Sequence, residues 1–232
     1  MYYLKILLLL LTIVIVVRYY ITFKRNDNKL SLNDYLKIAK SGDIILFSRY
    51  WKNNIMKNIQ NTTNQVCIGI PYTHVGIVHK NFDNELMICD ISSYDKYQKV
   101  TTGEGACNPI SSRIRNYHGE VSVRLLRVPL NYEQETQLYT KIKKMEGIQF
   151  VNELRYHIFT NCFLRKVIPF WPESKAGGMY CSEYLGNVLR SIGILSEQIN
   201  PKCVYPIHFT SGHDKQTFTN DVSYSQQYLL TF

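Results

Sequence analysis

Two short segments far apart in the chain constrain its fold most, Tyr72-Thr73-His74-Val75-Gly76-Ile77-Val78 and Tyr180-Cys181-Ser182-Glu183-Tyr184-Leu185. The first has the composition of a β-strand: Val75, Ile77 and Val78 are β-branched, and the run is bounded by Pro71 and by the polar stretch Lys80-Asn81-Phe82-Asp83-Asn84. The second opens a helix. Tyr184, Leu185, Val188, Leu189 and Ile192 recur at helical spacing, Gly193 offers a stop, and Gly177-Gly178-Met179-Tyr180 reads as the loop before it. The spacing predicts a helix over 182–192 and an α+β fold, in which an antiparallel sheet packs on helices and one helix begins at a cysteine.

That placement gives Cys181 a chemical meaning. Backbone N–H groups at a helix N-terminus lack intrahelical partners and carry the positive end of the dipole, which favours thiolate over thiol. The same donors can hold the oxyanion of a tetrahedral intermediate. The plainer alternative is a small buried residue under a helix, which is how free cysteine is most often used. On the strand, side chains alternate, so His74, Gly76 and Val78 share one face while His79 points to the other. Leu86-Met87-Ile88-Cys89-Asp90-Ile91 reads as the partner strand of a hairpin. With the turn centred near Phe82, Asp90 falls opposite His74 on the same face, where a carboxylate can orient the imidazole. Cys181, His74 and Asp90 then supply nucleophile, base and orienter. A slip of one residue would break the arrangement, and a lone strand histidine is usually just a polar residue.

Taken together, Gly42-Asp43-Ile44-Ile45-Leu46-Phe47, Thr73-His74-Val75-Gly76-Ile77-Val78, the acidic residue ending the next strand, and Tyr180-Cys181-Ser182-Glu183 resemble the circularly permuted NlpC-like papain-fold proteins. The likeness is to the YiiX-like bacterial group with its poxvirus and giant-virus relatives, and more distantly to lecithin:retinol acyltransferase. Histidine precedes cysteine here, as in the permuted group. The resemblance runs over residues 41–193 and takes in a strand-like stretch at 121–128 and a helix over 131–147. It implies a permuted papain-like fold with Cys181 as nucleophile, His74 as general base and Asp90 as the polar third member. The family often has Glu at that third position, and the segment 156–171 is more aromatic and basic than the resemblance leads one to expect.

Length suits one folded unit plus an anchor: 232 residues with 45% apolar content support a single core. The N-terminus departs from the rest. Residues 6–17 are apolar without a charge and are flanked by Lys5 and Arg18. Twelve residues fall short of the ~20 that a spanning helix needs. Adding Tyr2, Tyr3, Tyr19, Tyr20, Ile21 and Phe23, with Lys5 and Arg18 snorkelling, brings the stretch to length. Val16-Val17-Arg18-Tyr19-Tyr20 offers no small-residue cleavage site, so an uncleaved single-pass anchor over 1–25 is expected, followed by a hydrolase domain over 26–232. Positive charge is denser after the run, at Arg18, Lys24, Arg25 and Lys29, which places the domain on the cytosolic or virion-interior side. A sequon at Asn61-Thr62-Thr63 counts weakly the other way.

The six cysteines, at 67, 89, 107, 162, 181 and 203, show no tight pattern, and an even count alone is not enough to imply disulfides. Cys67, His74, Cys89 and Cys107 lack the short paired spacings of structural zinc sites, so no metal and no cofactor is expected. Ser182 lacks a Gly-x-Ser-x-Gly frame and reads as a cap or first-turn residue; Glu183 suits the helix dipole. His79, His118, His157, His208 and His213 stay unassigned. The net charge of +9 is scattered, no nucleic-acid motif is present, and a membrane surface is the expected partner. The basic and aromatic segment 156–171 fits an interfacial stretch or a buried helix equally. Two functions follow. One is a membrane-anchored cysteine hydrolase or acyltransferase working through a thioester on a peptide amide or a lipid ester. The other is a catalytically silent structural or interaction protein, such as a virion membrane component, that keeps the fold.

Overall fold

Four consecutive apolar residues, Ile44, Ile45, Leu46 and Phe47, are wholly buried at the centre of the molecule. A strand apolar on both faces needs a cover on each side, and the chain provides one. The computed structural model describes residues 12, 28–49, 72–92, 103–117, 119–151 and 177–232. Seven strands, β1 (Asn28–Ser31), β2 (Ile44–Arg49), β3 (His74–Lys80), β4 (Leu86–Ile91), β5 (Gly105–Pro109), β6 (Gly119–Arg124) and β7 (Tyr228–Thr231), form one sheet in the order β1-β7-β6-β2-β3-β4-β5.

Helices α1 (Leu32–Ile38) and α2 (Ile110–Arg115) lie over one face, where Ile45, Phe47, Val78 and Ile88 meet Leu32, Tyr35, Ile110 and Ile114. On the other face, α3 (Tyr132–Met145) and α4 (Cys181–Ser191) cover Ile44, Leu46, Val75 and Ile77 with Leu138, Ile142, Leu185, Val188 and Leu189. Each fully buried aliphatic or aromatic side chain here is worth about 1.5–3 kcal/mol relative to exposure. A short α5 (Asp214–Thr217) follows near the C-terminus. Helix α3 starts where Asn131 and Gln134 form a reciprocal capping box.

The fold is α+β, as expected, and the sheet departs from the expected one in a definite way. Every pairing is antiparallel except β1 with β7, which run parallel, so the sheet is mixed. β1 is four residues with two exposed, too short and polar for its pairing with the far end of the chain to show in its own letters. Arg124 closes that long-range return. Wholly buried, it donates to the carbonyls of Ser225 (2.9 Å) and Phe209 (3.2 Å) and twice to Asp214 (2.7 and 2.8 Å).

The Gly42-Asp43 pair has a structural role. Gly42 takes φ +91, a left-handed conformation that glycine adopts freely, to turn the chain into β2. Asp43 then accepts from the N–H of Leu126 (2.9 Å) and of Lys40 (3.2 Å), tying β2 to the end of β6.

Among the described residues no helix is long and apolar enough to cross a membrane. The anchor expected over 1–25 lies outside them apart from Thr12, as do the segments 53–70 and 156–171, the Asn61 sequon and His118.

Candidate active site

Strand register decides how His74 and Asp90 can meet. Ile77 pairs with Cys89 and Val78 with Ile88, which sets Asp90 opposite Gly76, not His74. The hairpin turn centres on Asp83, one residue later than expected, and Asn84 there adopts φ 61. Moving the centre by one residue moves the register by two, so the face is kept and the contact becomes diagonal. His74 Nε2 and Asp90 Oδ2 are 2.8 Å apart.

Gly76 makes the diagonal possible. A Cβ there would stand 3.1 Å from the Asp90 Cβ, 3.1 Å from the Ile88 side chain and 3.3 Å from the Cys89 carbonyl. Gly76→Ala is therefore expected to displace Asp90 by a few tenths of an ångström and cost about 1–3 kcal/mol as overpacking. Urea unfolding checks the stability, and the rate of Cys181 alkylation checks the geometry; both should fall.

Asp90 also takes a partner that sequence reasoning missed. Arg113 on α2 donates to the same Oδ2 from Nη2 (2.7 Å) and from Nε (3.2 Å), and its guanidinium lies 4.7 Å from the centre of the Phe47 ring. Arg113 and Asp90 are both buried. A signal was present: Ile110, Arg113, Ile114 and Tyr117 recur at helical spacing, and a lone arginine on an apolar helix face needs an acid beneath it.

The charges follow from this packing. Burial alone would push the Asp90 carboxyl up, but the Arg113 charge, with the His74 and Arg113 hydrogen bonds, outweighs it and brings the group down from 3.8 to about 2. A carboxyl lowered in the folded state contributes stability above its unfolded value and loses it as pH falls through the folded one. Relative to Asp90→Asn, the wild type should hold about 2–3 kcal/mol at neutral pH that disappears between pH 3.8 and about 2, measured by denaturant unfolding across that window. For His74, burial opposes the charged form, yet its interactions with Cys181 and with the Asp90 carboxylate together raise it above 6.5.

Cys181 is the first residue of α4 and is 6% exposed. His74 interacts with its side chain and, through Nε2, meets Asp90 Oδ2 at 2.8 Å. The helix begins with Tyr180 as a cap whose side chain makes no capping bond to the helix, and the first intrahelical donor is the Tyr184 N–H to the Tyr180 carbonyl at 2.9 Å. The amides of Cys181 and Ser182 thus lie ahead of the helical ladder, beside the thiol. Ser182 occupies the first turn, and its hydroxyl donates to the Val204 carbonyl at 2.8 Å instead of capping the helix. The Tyr180 hydroxyl donates to the Lys202 carbonyl. Both bonds brace the start of α4 against the turn at Pro201–Cys203.

The three expected site residues are brought together, and Arg113 joins them. His79, His208 and His213 lie elsewhere: His79 packs against Tyr139, and His208 and His213 sit near each other on the C-terminal turns. The cysteines depart from expectation. Cys89 and Cys107 stand opposite each other on β4 and β5 and form a disulfide, and Cys203 is disulfide-bonded too. Their spacing did not suggest a pair because strand register brings them together across 18 residues. The bond occupies two sulfurs of the zinc grouping considered above, and Cys181 is the free cysteine among the described residues.

No family model matches the chain, and no curated protein matches it. Among solved structures it is similar to the metalloprotein YiiX from Escherichia coli O157:H7, with 16% identity, a TM-score of 0.46, and coverage of 80% of this chain and 96% of that one.

Proposed function

We propose that this protein is a membrane-anchored cysteine hydrolase or acyltransferase of the permuted papain-like kind, acting on an amide or ester through a thioester. The observation that carries the reading is His74, held between the Cys181 thiol and an Asp90 carboxylate that Arg113 keeps ionised.

In this scheme His74 accepts the thiol proton and the sulfur attacks the substrate carbonyl carbon. The amides of Cys181 and Ser182 at the helix start serve as donors for the resulting oxyanion. Collapse breaks the bond to the amine or alcohol, which leaves with the proton from His74. Water or an acceptor then gives a proton back to His74, attacks the thioester and releases the acid or the transferred acyl product, restoring the thiol. Asp90 holds the imidazole in the tautomer and orientation that each transfer needs.

The low exposure of Cys181, 6%, favours a second reading, a silent structural or interaction protein whose site stays closed. Covalent chemistry separates the two. Full-length protein mixed with p-nitrophenyl acyl esters and fluorogenic peptide amides should gain one hydroxylamine-labile acyl group on Cys181, seen by intact and peptide mass. No adduct, or adducts spread over other residues, would overturn the thiol mechanism.

Anchoring rests on the apolar run at 6–17. On its sidedness two cues oppose each other: charges after the run favour the cytosol, whereas the Cys89–Cys107 disulfide favours an oxidising compartment. Mass analysis of alkylated protein taken from its native membrane, with and without reductant, decides between them.

A further inference from the structure

Isolated exposed apolar side chains are ordinary on a soluble surface. Their distribution here is not even. Of the five large hydrophobic residues exposed among the described residues, Ile38, Phe82, Val128, Tyr132 and Phe232, the first four gather at one end of the sheet. That end is where β3 stops and β2 and β4 begin.

The register and local contacts place each of them. Phe82, 80% exposed, is in the β3–β4 turn, and its ring packs 4.4 Å from Tyr139 of α3. Tyr132, 89% exposed, precedes Tyr139 by two turns on the same side of that helix. Ile38 ends α1 just before Ser41, whose hydroxyl accepts from the Lys80 N–H at the close of β3. Val128 lies between Leu126 and Leu130, both of which crowd Gly42 at the start of β2.

The chain also enters the sheet at this end. Asn28 pairs with Tyr228, Tyr228 with Val123, and Val123 with Ile45, one residue from the start of β2. The apolar run stops at Val17, so ten residues separate it from Asn28, a reach of at most about 35 Å. His74 and Cys181 occupy the opposite end, since His74 pairs with Phe47.

We propose that the end of the sheet carrying Phe82, Val128 and Tyr132 seats on the lipid bilayer into which the N-terminal run inserts, leaving the Cys181 site facing away from that bilayer. Phe and Tyr are side chains that favour the bilayer interface, and the lysine stems near them can lie along it. Lys80 and Arg127 are matched by Asp83 and Glu85, whereas Lys40 follows Ile38 and the ten residues leading to Asn28 carry Arg18, Lys24 and Arg25 against Asp27, so apolar insertion makes the contact and anionic lipid would add to it. The inference rests on the anchor reading and stands apart from the thiol chemistry. Combined with that chemistry, it favours acyl donors from the aqueous phase or an apposed surface over lipids of the anchoring membrane.

The test places p-benzoylphenylalanine at Phe82, Tyr132 or Phe232, one at a time, in the full chain reconstituted into phosphatidylcholine vesicles. Peptide mass spectrometry then counts lipid adducts after irradiation. Positions 82 and 132 are expected to give severalfold more lipid adduct than 232, and the ratio should survive high salt. Equal labelling at all three positions, or crosslinks from 82 and 132 to a second copy of the chain in place of lipid, would overturn the docking end while leaving the anchor and the thiol reading in place. Failure of the full chain to bind vesicles would overturn the docking end and the anchor together.

Discussion

Replacing His74 with alanine is expected to slow acylation of Cys181 by about 10²–10⁴-fold, the usual worth of a positioned general base, without unfolding the protein. The fold should survive because Asp90 keeps its stronger partner. Arg113 still donates to Asp90 Oδ2 through two nitrogens, at 2.7 and 3.2 Å, when the imidazole is gone. The lost volume sits at a strand end where His74 is partly exposed, so the cavity cost is smaller than in the core. Single-turnover acylation followed by mass, paired with urea unfolding, separates the two effects. Loss of stability in step with loss of rate would mean that His74 is structural.

Arg113→Met should do the reverse, damaging stability first. It leaves a carboxylate 3% exposed with His74 as its remaining partner among the described residues, and breaking one side of a buried ion pair costs about 3–5 kcal/mol. Against a typical domain stability of about 5–15 kcal/mol, the variant would be marginal. Adding Asp90→Asn removes the uncompensated charge, so the double variant should regain much of the loss while remaining slow at Cys181. A double variant no more stable than the single one would show that Arg113 acts through its other contacts, the Phe47 and Tyr117 rings among them, and not through Asp90.

How much of this was legible in the letters depends on the range over which each signal acts. The α4 helix and the β3 strand announce themselves because their periodicity is local, and the observed bounds, Cys181–Ser191 and His74–Lys80, lie within two residues of the expected ones. Asp90 was found on the correct face through a turn misplaced by one residue, because parity survives a two-residue shift. Arg113 escaped since its partner lies 23 residues away and only the tertiary packing of α2 on the sheet joins them. The parallel β1–β7 pair and the Cys89–Cys107 bond are of the same kind, being set by register between strands and not by composition. Gly76 has no local signature of purpose, and only the neighbouring Asp90 Cβ explains it.

The most direct test of the central claim is the iodoacetamide alkylation rate at each cysteine, followed by peptide mass spectrometry across pH 5 to 9 in the wild-type chain and in His74→Ala. A coupled pair predicts a Cys181 that reacts selectively fast near neutral pH and loses that advantage when His74 is removed. A Cys181 that labels slowly, and at the same rate with or without His74, would contradict the coupling and leave a buried thiol in a silent scaffold.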